Sequence, residues 1–445
     1  MKNICVFFLD RPFSIAEGEG FAEFVQKMIN IGHKYGAVSA AEVLPCATTI
    51  SRHLDLVVAK EKAILKPSLA SAVILGVTTD MWTSDKTNGA YVTVTAHYLD
   101  SEWNVCSVIL GTRDAEEKHT AVYIRKLVCA ILEEYNVNLK NVIYVTDNAA
   151  NMKAAFREEV WLGCSGHNLN LVLSHALQAP KEGCPGCPSE VQDLITACKD
   201  LVTLAKKTRI NSKLETTHKQ CVSTRWNSVL FTLQSVQRNL ADLKSVAADP
   251  GANRNLMRLL GEINEDLLCD TIQLLSPFDN ATKAVSVDKS PSLHLVLPTK
   301  IRLQKHLSPV GSDCEVIAEL KRHLQVQLEQ YFTVSDLHIA ASLLDPRLKD
   351  NTVVLSQELR ASASRTVREM MSNWLPAAEA STSNDTAENA QPQTVEDQQP
   401  PRKRQCLDLD FFGDLFTSGQ TVSDDDELDL YLKSGEWFSL QLHCK

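Results

Sequence analysis

Two segments of this chain end an apolar run on an aspartate, and their placement limits the fold more than any other feature. Residues 71–80 read SAVILGVTTD and residues 141–147 read NVIYVTD. Both have the length and density of a buried strand. Between them, YVTVTAHYLD (91–100) alternates and is β-branched, and NVCSVILGTRD (104–114) reads as a third strand. The short connections hold Gly89, or Asp100 with Ser101, which predicts hairpins. HTAVYIRKLVCAILEEYNV (119–137) puts Ile124, Leu127, Val128, Ile131 and Leu132 on one helical face. The order is therefore strand, strand, strand, helix, strand, and the class is α/β. With the first and fourth strands parallel and adjacent, Asp80 and Asp147 emerge at one end of the sheet, where ligands collect in open α/β folds. Two carboxylates there can hold divalent cations for in-line phosphoryl displacement. The competing reading is that each aspartate caps a following helix.

The flanks are helical. GFAEFVQKMINIGHKYG spaces Phe21, Phe24, Val25, Met28 and Ile29 on one face and stops at Gly36. TTISRHLDLVVAKEKAILK predicts a second amphipathic helix, with Thr48 or Thr49 as its cap. Residues 160–177 read as a short strand running into a helix. Residues 190–375 are helix-rich, with polar breaks such as DNATKAVSVDKSPSL. Residues 376–425 carry few large apolar side chains and read as a disordered acidic linker. The expected domains are 1–70 (helical), 71–178 (sheet core), 179–375 (helical), 376–425 (linker) and 426–445 (a C-terminal segment).

Composition narrows the partners only slightly. The net charge of −10 resides in the tail: residues 376–445 hold 14 acidic and 5 basic side chains, leaving 41 and 40 for the rest. The body is therefore close to neutral and does not repel nucleic acid as a unit. No apolar run reaches the about 18–20 residues of a membrane span. Thirteen scattered cysteines suit reduced thiols better than a disulfide framework.

Several strings carry a resemblance: TTDMWTS (78–84), VTDNAANM (145–152), CSGHNLNLVL (164–173), STRWNS (223–228) and LLDPRLK (343–349), with RPFS (11–14) ahead of them. In this order over residues 5–375 the chain resembles the hAT-superfamily transposases, in particular the zinc finger BED domain-containing proteins derived from them. The resemblance implies a ribonuclease H-like core of β-β-β-α-β order, with N-terminal helices and a large helical insertion domain. It implies that Asp80 and Asp147 are the first two members of an Asp-Asp-Glu metal-binding triad, holding Mg or Mn if any metal. Cys164 and His167 match a Cys-x2-His element beside the active site, and Arg225 and Trp226 match an Arg-Trp motif; these four are the expected DNA-binding residues. Trp226 either stacks on exposed bases or anchors a helical core. LLDPRLK reads as structural, with Asp345 and Pro346 ending a helix.

Three departures from the family pattern set the functional expectation. DELDLYLKSGEW (426–437) resembles the opening of the family's dimerisation segment, but the helix with the third carboxylate is not recognised after it. Glu158 and Glu159 lie near Asp147 in sequence, without a reason to be ligands. No BED zinc finger precedes the helices. An added loop carries Cys184 and Cys187, which with Cys164 and His167 would make a four-ligand zinc set by residue type; a Pro/Gly turn with two thiols is the favoured reading. The expectation is a domesticated or degenerate transposase-like protein of the nucleus, DNA-associated, non-catalytic and transcription-regulatory, requiring no cofactor. Its partners would be DNA, itself or related proteins, with no membrane. PRKR (401–404) is a candidate import signal. The alternative is an active metal-dependent transposase or nuclease with an unrecognised third carboxylate.

Overall fold

The computed structural model describes residues 13–374, except 38, 85–87, 101, 180–185, 209, 215, 218–225, 250, 252 and 288–289, together with residue 428. Cys184, Arg225, PRKR and the expected linker and C-terminal segment, Leu428 apart, lie outside the described residues. The chain divides into two compact units, 1–68 and 69–445.

The first unit is helical. Helix α1 (Glu19–Tyr35) ends at Gly36, whose φ of 79° only glycine adopts at low cost. A single turn, α2 (Ala40–Val43), leads to α3 (Ala47–Ser71). Helix α3 starts ahead of Thr48, and the hydroxyl of Thr49 turns back to Cys46 Sγ at 3.2 Å. Neither threonine is its cap.

The second unit opens with a five-stranded sheet in the order β3-β2-β1-β4-β5. Strands β1 (Leu75–Thr83), β2 (Ala90–Leu99) and β3 (Val105–Asp114) form an antiparallel meander. Strand β4 (Val142–Thr146) joins β1 in parallel, and β5 (Val160–Gly163) joins β4 in parallel. Between β3 and β4 runs α4 (Ala121–Glu133), capped by the Thr120 hydroxyl, which accepts from Tyr123 N–H at 3.3 Å. It buries Ile124, Val128, Ile131 and Leu132, and packs on the sheet face that presents Val92, Val94 and Ala96. Leu110 is the extra residue of a bulge opposite Val94 and Thr95, and its carbonyl accepts from the buried Tyr135 hydroxyl at 2.7 Å. The strand order and the α/β class therefore match the reading from periodicity.

A short α5 (Ala150–Ala155) lies between β4 and β5, and α6 (Ser165–Ala176) follows β5. The helices that come next are α7 (Ser189–Lys207), α8 (Asn227–Arg238), α9 (Leu240–Ala248), α10 (Arg254–Glu262), α11 (Glu265–Val285), α12 (Val296–Leu307), α13 (Glu315–Tyr331), α14 (Asp336–Leu343) and α15 (Gln357–Trp374). Their interior is one continuous apolar core that begins with Leu169 and Val172 of α6. Sheet and helical region are thus joined through α6. The polar string expected to break the helices does not do so at its start: α11 continues through Pro277 to Val285. Asp279 is buried there and satisfied, by Asn227 Nδ2 at 2.5 Å and Lys283 Nζ at 2.6 Å. LLDPRLK is structural as expected. Asp345, beyond the end of α14, accepts from Arg347 Nε (3.1 Å), Nη2 (2.8 Å) and backbone N–H (2.8 Å), and lies 3.2 Å from His294 Nε2.

Candidate carboxylate site at the end of β1 and β4

The parallel ladder between β1 and β4 runs from Leu75–Val142 to Thr78–Val145. Asp80 and Asp147 are each two residues beyond its last pair, so they stand level. Asp80 does not end β1, as the sequence suggested. The strand continues to Thr83 because its pairing with β2 persists through Trp82–Tyr91 and Thr83–Ala90. What ends near Asp80 is the β1–β4 ladder.

Asp80 feels the charge of Asp147. Partial burial of its carboxyl, then the neighbouring charge of Asp147, push Asp80 above the usual carboxylate range, with backbone N–H of Met81 and His167 pulling the other way. The structure therefore brings Asp80, Asp147 and His167 into one neighbourhood. Asp147 also does part of a cap's work, since its Oδ1 accepts from Ala149 N–H at 3.1 Å. A set of two hard oxygens that repel each other fits one divalent cation such as Mg or Mn. Held there by Asp80 and Asp147, such an ion would polarise a phosphoryl oxygen. Among the described residues, no group of three or more His, Cys, Asp or Glu side chains is arranged to hold a metal. The glutamates nearby in sequence are engaged elsewhere: Glu159 pairs with Arg125 Nη2 at 2.5 Å, and Glu158 lies 3.6 Å from Arg157.

Asparagines and glycines that the sequence reading passed over hold this end of the sheet together. Asn148 Nδ2 donates to Oδ1 of the buried Asn168 on α6. Gly163 makes room for that pair, because a Cβ there would stand 2.6 Å from Asn148 Oδ1. Cys164 N–H donates to Thr146 O at 2.7 Å, tying the start of α6 to the end of β4. In the same first turn of α6, a Cβ at Gly166 would stand 2.6 Å from Ser286 Oγ just past α11. No local pattern announces these contacts, which join residues up to 120 positions apart.

Cys164 and His167 sit at the first turn of α6, half-buried. Cys187 belongs to the other end of that helix, where its N–H donates to Gln178 O at 2.9 Å. Twelve residues of helix separate the two ends, about 18 Å at 1.5 Å per residue. One zinc ion, with ligand bonds of about 2.0–2.3 Å, cannot take ligands from both. Burial in the apolar core also pushes the Cys187 thiol up to about 11, the reverse of a metal thiolate. Cys184 is outside the described residues. The four-cysteine/histidine set is therefore not assembled by Cys187, because the helix places it at the wrong end.

Trp226 is 5% exposed and part of the helical core. Its backbone N–H donates to Asn170 Oδ1 on α6 at 3.3 Å, so the two family motifs meet there. Of the two readings left open by the sequence, this geometry is that of the core anchor.

The fold is consistent with a ribonuclease H-like core carrying helical additions. Residues 78–162 match the ZBED1 RNase-like domain family, and residues 6–49 match the Hermes transposase DNA-binding domain family. Over longer stretches the chain is similar to the transposable element hobo transposase of Drosophila melanogaster (29% identical over 350 residues, covering 76% of this chain and 51% of that protein). It is also similar to zinc finger protein 618 of Mus musculus (26% over 372 residues, 82% and 38%) and to the putative AC transposase of Zea mays (22% over 375 residues, 78% and 44%). The chain thus spans about half, or less, of the length of these relatives. These similarities to transposases and to zinc finger protein 618 support a transposase-derived protein. The match over residues 6–49 assigns a DNA-binding likeness to a region read from sequence only as helical.

Proposed function

We propose that this chain is a DNA-associated nuclear protein that keeps the transposase carboxylate pair without using it to cut DNA, and that acts in regulation. The carrying observation is the pair itself: Asp80 and Asp147 stand level, and the described residues give them no third carboxylate. Two-metal phosphoryl transfer needs enough ligands to fix both ions. With two carboxylates the ions and the attacking water are poorly placed, and a misplacement of about 1 Å costs on the order of a hundredfold in rate. DNA contact is supported by the likeness of residues 6–49 to the Hermes transposase DNA-binding domain. The regulatory reading is supported by similarity, 33% identical over 109 residues, to a protein of Talaromyces stipitatus named a putative transcriptional regulator.

The test is a cleavage and binding assay on the purified full chain with Mg or Mn. The expected result is DNA binding without metal-dependent nicking. Nicking that Asp147→Ala abolishes would establish the active-transposase reading instead, and absence of DNA binding would remove the proposal's first half.

A further inference from the structure

A groove of about 460 Å³ opens in the helical region, where the starts of α7, α11 and α13 meet the end of α10. Its floor is apolar: Leu194 and Leu267 are buried there, and Val316 is half-buried. Its walls carry Glu190, Asp193, Glu262, Asp266 and Asp270, and no lysine, arginine or histidine among the described residues lines it. Arg258 Nη1 neutralises Glu262 at 2.5 Å. The other four acids have no cationic partner among the described residues.

Local structure accounts for part of this charge. Glu190 and Asp266 lie in the first turns of α7 and α11, where a carboxylate answers the helix dipole. Asp193 and Asp270 stand a turn further in, beyond the reach of that attraction, so their charge is left over. The result is an apolar trough under a negative rim, with a volume in the range of ligand sites.

We infer that this groove docks a lysine- and arginine-rich segment of another protein chain. The groove is built without Asp80, Asp147 or α6, so it stands independently of the carboxylate pair. Charge complementarity selects the occupant. Lys and Arg lay methylene stems on apolar surface and keep their charged heads in water. The stems fit the floor of Leu194, Leu267 and Val316, and the heads reach the carboxylates of Asp193 and Asp270 at the rim. DNA is repelled by such a rim. A neutral amphipathic helix would cover these carboxylates without pairing them, which is costly. A small cation would leave the floor unused. Proteins that neutralise DNA phosphates carry segments of the required kind.

Fluorescence anisotropy on the full chain tests the assignment, with a labelled decapeptide of alternating Lys and Arg and a labelled Gln decapeptide as probes. The basic probe alone is expected to bind, and more weakly as salt is raised. Asn keeps the shape of Asp, so Asp193→Asn with Asp270→Asn should leave the fold undisturbed and weaken binding about 2- to 30-fold, the loss of two exposed ion pairs. Val316→Lys sets a cation on the floor and should weaken binding too. Asp424→Asn with Asp425→Asn removes the same charge from the tail and should change nothing. Unaltered affinity in the Asp193 and Asp270 variant overturns the inference, as does equal weakening by the tail variant, which would mean general charge attraction. Spermine binding as tightly as the decapeptide overturns it in favour of a small polycation. Tighter probe binding after Arg402→Gln, Lys403→Gln and Arg404→Gln would make PRKR of this same chain the occupant and overturn it as well. Failure of the basic probe to bind overturns it outright.

Discussion

Gly163→Ala tests how the carboxylate end of the sheet is held. The new Cβ would meet Asn148 Oδ1 at 2.6 Å, while Asn168 Nδ2 and Trp161 Cη2, each at 3.4 Å, are ordinary contacts. Asn148 must therefore swing away and abandon Asn168, which is buried. A buried amide left short of its partner costs about 1–3 kcal/mol. Alanine returns about 0.4–1 kcal/mol by restricting the unfolded chain, so a net loss of about 1–2 kcal/mol is expected. In an Asn148→Ala background the obstruction is gone, and the same substitution becomes neutral or slightly stabilising. The coupling should then be about 1 kcal/mol or more, well above the about 0.3–0.5 kcal/mol scatter of independent sites. Urea unfolding of the four chains measures it, with hydrogen exchange at Val145 and Leu162 as the local report. Equal cost of Gly163→Ala in both backgrounds would refute the reasoning.

Three further outcomes follow from described contacts. Asp345→Ala leaves Arg347 without its carboxylate and should destabilise by about 3 kcal/mol, the low end for a broken buried pair; a thermal melt within a degree of wild type would contradict it. His338 is buried and pushed down to about 4, its Nδ1 accepting from Ser335 N–H at 3.0 Å. The unfolded chain binds that proton first, so stability is complete above about pH 6.5 and falls as pH drops toward 4, by about 3 kcal/mol at 1.36 kcal/mol per unit. His338→Gln keeps an acceptor for the cap and should flatten the dependence between pH 7 and 5; an unchanged slope would count against the assignment. Cys46 is exposed, with its thiol pulled down by the Thr49 hydroxyl and N–H groups, whereas burial pushes Cys198 up to about 12. Iodoacetamide footprinting at neutral pH should label Cys46 well before Cys187 and Cys198, and the reverse order would contradict the geometry.

The sheet was legible because its signals are periodic and local. Asp147 could be seen because an apolar run of four residues gives way to Thr146 and Asp147, and Gly36 because helices often end on a glycine with positive φ. The first strand's true end was not visible, since it depends on how far β2 follows it. Helix α11 was cut short because Asp279 and Lys283 look like loop residues until Asn227 arrives from another helix. Trp226 stayed ambiguous for a similar reason: an aromatic ring is the same in sequence whether it faces solvent or a core. The metal-ligand reading of Cys187 failed on distance along α6, which spacing in sequence cannot supply.

Helix α6 has one end beside Asp80 and Asp147 and the other packed against the bundle, where the half-buried His175 stacks on Tyr331. A rigid rod so mounted cannot tilt at one end alone. A displacement of the bundle end by a fraction of an ångström would therefore have to be absorbed by the packing around His167 as well.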